Sequence, residues 1–265
     1  MRERRLGCNV DIGLWLDRIL KIVEKANYCK RIACMANDAG KNEYHGTGHR
    51  SRLRSRLLEQ GGETLLDHEL IEYLLALAIP RRDTKPLAKQ LLKHYGGLSA
   101  LLTADAENIV RQPGMGETST AALKIVQAAA IRLLSEPVRE LPVLASWQSL
   151  LDYLRADMAH LTIERVRTLY LNSKNMLIRD EVASEGSVDQ AAIYTREVVR
   201  RAMDLGAAAI ILVHNHPSGD SAPSRQDIAM TRDIINAAKG FNIAVHDHII
   251  IGKEGFSSMR SAGLI

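Results

Sequence analysis

Cysteine is scarce in this 265-residue chain: Cys8, Cys29 and Cys34 are its three copies, crowded near the N-terminus with no C-x-x-C pair. That excludes a disulfide framework and a cysteine zinc cage, and it fits a reducing cytoplasm. Long apolar runs are missing too. The most apolar early stretch, Val10 to Val23, is broken by Asp11, Asp17, Arg18 and Lys21, which neither a signal-peptide core nor a span of ~20 apolar residues tolerates. No membrane segment, no membrane partner and no secretion are expected. Nor does charge of one sign dominate. The formal +4 comes from nine Lys/Arg against six Asp/Glu in residues 1–44, thirteen against eleven in 45–140, and thirteen against fourteen in 141–265. Any polyanion is therefore expected on the N-terminal half. Internal repeats and low-complexity tracts are absent as well.

What remains is an ordinary globular composition, 46% hydrophobic and 25% charged, which argues against a disordered or collagen-like chain. The length accommodates two domains of the usual ~100–200 residues. Ile12, Leu16, Ile19, Leu20, Val23 and Ala26 have helical spacing, so residues 1–44 form a helical extension ending near the turn residues Asn37 to Gly40. Helical periodicity continues from Ser51 to Ala130, punctuated at Gly61-Gly62, Pro80, Gly96-Gly97 and Pro113-Gly114. This predicts an all-helical domain over 45–137. Ser135 to Pro142, with two prolines among charges, has the composition of a linker. The next domain, 143–265, opens on a helix near 146–160.

The period then changes to two. Val166, Leu169 and Leu171, then Met176, Ile178 and Val182, flank Asn172 to Asn175 as a hairpin. A helix near 195–204, the buried run 207–213, a helix over about 225–239 and a strand from Ile243 to Ile251 complete the pattern. The fold class is α+β: an all-α domain followed by a mixed α/β domain.

The chemistry sits where the buried run ends, at His214-Asn215-His216-Pro217-Ser218-Gly219-Asp220. Residues i and i+2 of a strand share a face, so His214 and His216 form a two-imidazole chelate pair, and Asn215 points to the other side without a catalytic role. Ser224-Arg225-Gln226-Asp227 opens the next helix. It is a capping box, and one turn into the helix Asp227 can also swing toward the strand end. Two imidazoles and one carboxylate suit zinc, leaving a fourth tetrahedral position for water. A second His-x-His, His246-Asp247-His248, has no carboxylate at comparable spacing. Its role is structural or supporting, with Asp247 the candidate to orient a ligating imidazole.

The pattern His214-x-His216-x7-Ser224-x2-Asp227 resembles the JAMM motif of MPN-type zinc metallopeptidases. The wider text HNHPSGDSAPSRQDIAMT, with Asp247-His248-Ile249-Ile250 near the C-terminus, resembles the RadC branch of that family. The resemblance covers 143–265 well and 45–137 more loosely. It implies one Zn2+ per chain held by His214, His216 and Asp227, with the Ser224 hydroxyl donating to the oxyanion. It also implies a glutamate upstream on the first strand that acts through the metal-bound water. By position that residue is Glu164, although Glu181, Glu185 and Glu197 also lie upstream. The implied activity is hydrolysis of a peptide or isopeptide amide in a peptide or protein substrate that the sequence does not name.

The helical half carries two further patterns. Ile109 to Glu117, with its Pro113-Gly114-Met115-Gly116 turn, resembles a helix-hairpin-helix element, whose turn presents backbone N–H groups to a DNA phosphate. This copy places Glu117, Thr118 and Ser119 where a basic residue would help. His49 to Arg56 resembles the family's basic amino-terminal stretch, but its alternating arginines spread around a helix. The alternative function is accordingly a DNA-associated repair or recombination accessory protein whose JAMM domain acts mainly as a binding module.

Overall fold

The computed structural model describes residues 45–186 and 194–265. The helical extension expected over residues 1–44, and the three cysteines within it, lie outside them. Among the described residues no helix is long and apolar enough to cross a membrane.

A helical region comes first: α1 (His45–Gln60), α2 (Asp67–Ala78), α3 (Lys85–Tyr95), α4 (Leu98–Thr103), α5 (Ala106–Val110) and α6 (Glu117–Glu140). The expected punctuation marks fall between these helices. Gly96, at φ 88°, closes α3 as its left-handed cap, a conformation that costs glycine nothing. Ile71, Leu75, Leu87, Leu91, Leu101, Ile109 and Leu123 pack into one buried cluster.

The second region contains α7 (Trp147–Met158), β1 (Glu164–Leu171), β2 (Leu177–Gly186), α8 (Thr195–Asp204), β3 (Ala209–Asn215), α9 (Arg225–Lys239), β4 (Ala244–Ile251) and β5 (Phe256–Ser258). The strands form one mixed sheet in the order β2-β1-β3-β4-β5. Only β3 and β4 run parallel, as the crossover through α9 requires. Alternate residues of the wholly buried β3 serve two cores. Ala209, Ile211 and Val213 join Leu150, Leu154 and Met158 of α7. Ile210 and Leu212 join Val198 and Ala202 of α8 and Ile234 of α9. Arg167 of β1 ties α7 to the hairpin, donating to both Asp180 carboxylate oxygens, at 3.0 and 2.7 Å, and to the Tyr153 hydroxyl at 2.8 Å.

The stretch expected to be a linker is largely helix. Helix α6 runs through Pro137 to Glu140. Proline lacks the N–H of a helical turn and costs about 3 kcal/mol in a helix interior. Here that is offset by Val138, fully buried in the core beneath the sheet, with Ile131 packed against the same cluster. The sequence reading also missed β5, a three-residue strand held to β4.

Candidate metal centre

The site forms where β3 ends. His214 is the sixth residue of β3, on the face toward α8 and α9, and His216 follows the strand directly, its N–H donating to the Ile251 carbonyl at 3.0 Å. The chain then turns through residues 217–223 into α9. Asp227 lies in the first turn of that helix, so the carboxyl end of a strand and the start of its crossover helix meet, as in many open α/β ligand sites. Ser224 caps α9: its Oγ accepts from the Asp227 N–H at 3.1 Å, and its own N–H donates to Asp227 Oδ2 at 2.8 Å. This reciprocal cap aims the Asp227 carboxylate back at the strand.

One ligand atom from each of His214, His216 and Asp227 lies within 4.8 Å of the other two. The two Nε2 atoms are 2.9 Å apart. Asp227 Oδ1 is 3.5 Å from His214 Nε2, and Oδ2 is 3.6 Å from His216 Nε2. A tetrahedral zinc with bonds of about 2.0–2.1 Å holds its donors about 3.3 Å apart, which these separations bracket. The chemistry of the set agrees. His216 Nδ1 donates to the Asp220 carbonyl at 2.7 Å, so neutral His216 directs its Nε2 lone pair at His214, with a carboxylate alongside. These three donor atoms face one another at separations that fit a zinc-type ion.

Electrostatics divides the cluster. Burial pushes His214 down to about 4, against the pull of Asp227, so this imidazole is neutral at pH 7. The hydrogen bond to Asp227 raises His216 above its ordinary value. Burial opposes the charge on Asp227, yet hydrogen bonds from His216 and Ser224 hold its carboxyl well below the usual carboxylate range.

Glu164 opens β1, which runs antiparallel to β3 with Val166 opposite His214. Continuing that register by two residues sets Glu164 opposite His216. Burial raises its pKa, His216 lowers it and Asp227 raises it further, so Glu164 lies within electrostatic reach of two ligands. The other upstream candidates are each engaged by an arginine: Glu181 pairs with Arg201, Glu185 with Arg165 and Glu197 with Arg200.

Three contributors go beyond what the sequence placed: Asn215 and Thr231 had no expected role, and His248 was expected only as part of a structural or supporting His-x-His. Asn215 accepts from the Arg165 N–H at 2.9 Å and donates to the Ile163 carbonyl at 3.0 Å, bracketing Glu164. His248 Nε2, not Asp247, meets His214, at Nδ1 and 2.8 Å, and Thr231 lies behind it. Asp247 instead accepts from the N–H groups of His248 and Arg260, at 2.7 and 3.0 Å. The reason is a register shift between Ile210 and Ile211, where β4 gains one residue. A one-residue slip reverses the faces of all that follows; it turns Asp247 away from α9 and brings His248 onto the histidine side.

The family model for the RadC-like JAB domain matches residues 144–264, the whole sheet region and site. That for the UPF0758 N-terminal domain matches residues 47–121, within the helical region. With both matches in this order along one sequence, the chain belongs to the RadC family.

Proposed function

We propose that the chain is a zinc-dependent hydrolase of the JAMM type that cleaves a peptide or isopeptide amide in a reducing cytoplasm. The observation that carries this is the convergence of His214 Nε2, His216 Nε2 and an Asp227 carboxylate oxygen, with Glu164 opposite them on the adjoining strand. These three residues would hold one ion per chain. When bound, zinc supplies Lewis acidity, lowering the pKa of a water toward neutrality and polarising a carbonyl.

The chain's own groups supply the rest. The Glu164 carboxylate, raised by burial, is suited to take a proton from an attacking water and return it to the departing nitrogen. Ser224 accepts at Oγ from the Asp227 N–H, which leaves its hydroxyl hydrogen to donate to the oxygen of a substrate carbonyl as charge develops there. The Asp220 carbonyl fixes the His216 ring, and the Ser224 cap fixes Asp227.

The test is a screen of peptides and ε-linked isopeptides with zinc-loaded protein. Cleavage is expected to stop with chelator, return with zinc, and be lost in Glu164→Gln at unchanged zinc content. Glu164→Ala that binds zinc and keeps full turnover would remove Glu164 from the role.

A second reading, DNA association through the helical region, is favoured by one contact. Arg82, from the loop between α2 and α3, lies against the hairpin turn with Nη1 3.5 Å from the Gly114 carbonyl. It supplies the cation that Glu117 to Ser119 do not. A gel shift with duplex or branched DNA that weakens with salt and in Arg82→Ala would support this reading. No shift at low salt would sink it.

A further inference from the structure

A chain of buried hydrogen bonds joins two of the candidate ligands through side chains outside the ligand set; its significance rests on the zinc reading above. Thr231 of α9 and His248 of β4 have no exposed surface. Thr231 Oγ1 lies 2.6 Å from the backbone carbonyl oxygen of Asp227 and 2.6 Å from His248 Nδ1. His248 Nε2 lies 2.8 Å from His214 Nδ1.

Counting hydrogens gives this chain one direction. A carbonyl oxygen only accepts, so two oxygens 2.6 Å apart require the Thr231 hydroxyl hydrogen between them. Met259 Sδ, at 3.6 Å from the same hydroxyl, is a weaker acceptor and supplies no hydrogen. With its single hydrogen committed, Thr231 Oγ1 accepts from His248 Nδ1–H. A neutral imidazole carries one ring hydrogen, so with that hydrogen on Nδ1 the His248 Nε2 has a lone pair, and at 2.8 Å it accepts from His214 Nδ1–H. A neutral His214 protonated at Nδ1 then presents a bare Nε2 to His216 and Asp227.

We infer that Thr231 and His248 are positioning residues that set the tautomer and ring angle of His214, so that its Nε2 is free to ligate before any metal arrives. The chain begins at the backbone of Asp227 and ends on His214, so α9 and β3 are held together by the groups that prepare the ligand. The opposite tautomer would put a hydrogen on His214 Nε2, and every metal-binding event would first have to remove it. Partners of this kind change metal affinity by ~10–100-fold when lost.

The test compares wild type, Thr231→Val and Thr231→Ser as full chains. Valine keeps the shape and removes the hydroxyl, whereas serine restores it. Zinc dissociation constants by chelator competition are expected to weaken ~10–100-fold in Thr231→Val and to stay within ~3-fold of wild type in Thr231→Ser. Nitrogen-15 imidazole spectra of the metal-free protein provide a readout that a packing role would not move. His214 is expected to be protonated at Nδ1 in wild type and Thr231→Ser, and to lose that preference in Thr231→Val. Equal zinc affinity in wild type and Thr231→Val, or a wild-type His214 protonated at Nε2, overturns this inference alone. Wild-type protein that binds no zinc overturns the hydrolase reading and this inference with it. If Thr231→Val does not fold, the wild-type spectrum and Thr231→Ser still decide.

Discussion

Asn215 has its back to the two candidate ligand histidines and still shapes the site. Strand alternation correctly turns it away from His214 and His216, but at the end of β3 its amide replaces the missing strand partner for residues 163–165. Asn215→Ala would leave the part-buried Arg165 N–H and Ile163 C=O without this partner, and a hydrogen bond of this kind is worth about 0.5–1.5 kcal/mol net. A loss of about 2 kcal/mol in urea unfolding is expected, with zinc stoichiometry unchanged. Unaltered stability would show that the bracket contributes nothing. His216 makes a separate prediction. Its pKa is raised by the Asp227 carboxylate, so the metal-free site retains a proton below that raised value, and a metal must displace it. Zinc affinity should therefore fall as pH drops through that raised value, which lies above the ordinary histidine value of about 6.5. Calorimetry in buffers of different ionisation enthalpy should find protons released on binding. Because His214 is already neutral there, its contribution appears only nearer pH 4.

At the scale of elements, the loop between β3 and α9 holds His216 through the Asp220 carbonyl, and Gly252 sets where that loop lies. A Cβ at residue 252 would stand 2.4 Å from the Gly219 carbonyl oxygen, a distance real Cβ atoms essentially never adopt, and a tight 3.1 Å from the Ser221 nitrogen. Gly252→Ala should push the loop outward and weaken zinc binding ~10-fold or more while leaving the helical content intact; undiminished affinity would show that the loop yields without cost. The same elements show what was legible in the sequence. Helices α2, α3, α6, α7 and α9 and strand β3 follow from local periodicity, and the convergence of the three candidate ligands follows from a strand end and a helix cap, both local signals. The position of Glu164 at the start of the first strand could be placed too, its role in the chemistry being the proposal above. His248 and Thr231 could not, since their meeting depends on which residue of β4 lies beside Leu212, and the extra residue near His246 reverses the answer. The last turn of α6 was hidden for a related reason: Pro137 argues locally for a break, and only the distant core that receives Val138 overrides it.

Across the whole molecule, residues 50–265 form one compact unit, and α6 is what makes the two family-matched segments interdependent. Its first half supplies Leu123 to the helical core, and its second half supplies Ile131 and Val138 to the core shared by α7 and the sheet. A chain beginning at residue 144 would keep every candidate metal ligand but would uncover the face of α7 that packs against α6. Full burial of one valine is worth about 1.5–3 kcal/mol; with the isoleucine contact added, the loss is a sizeable share of the 5–15 kcal/mol that holds a typical domain together. Residues 144–265 are therefore expected to unfold at markedly lower urea than residues 117–265, and to bind zinc less tightly because unfolding of the sheet region competes with binding. In the full chain Val138→Ala, which removes two buried methyl groups, should cost about 2 kcal/mol. Equal urea midpoints for the two shortened chains, together with a neutral Val138→Ala, would show that the sheet region is self-sufficient and that α6 only tethers it to the helices.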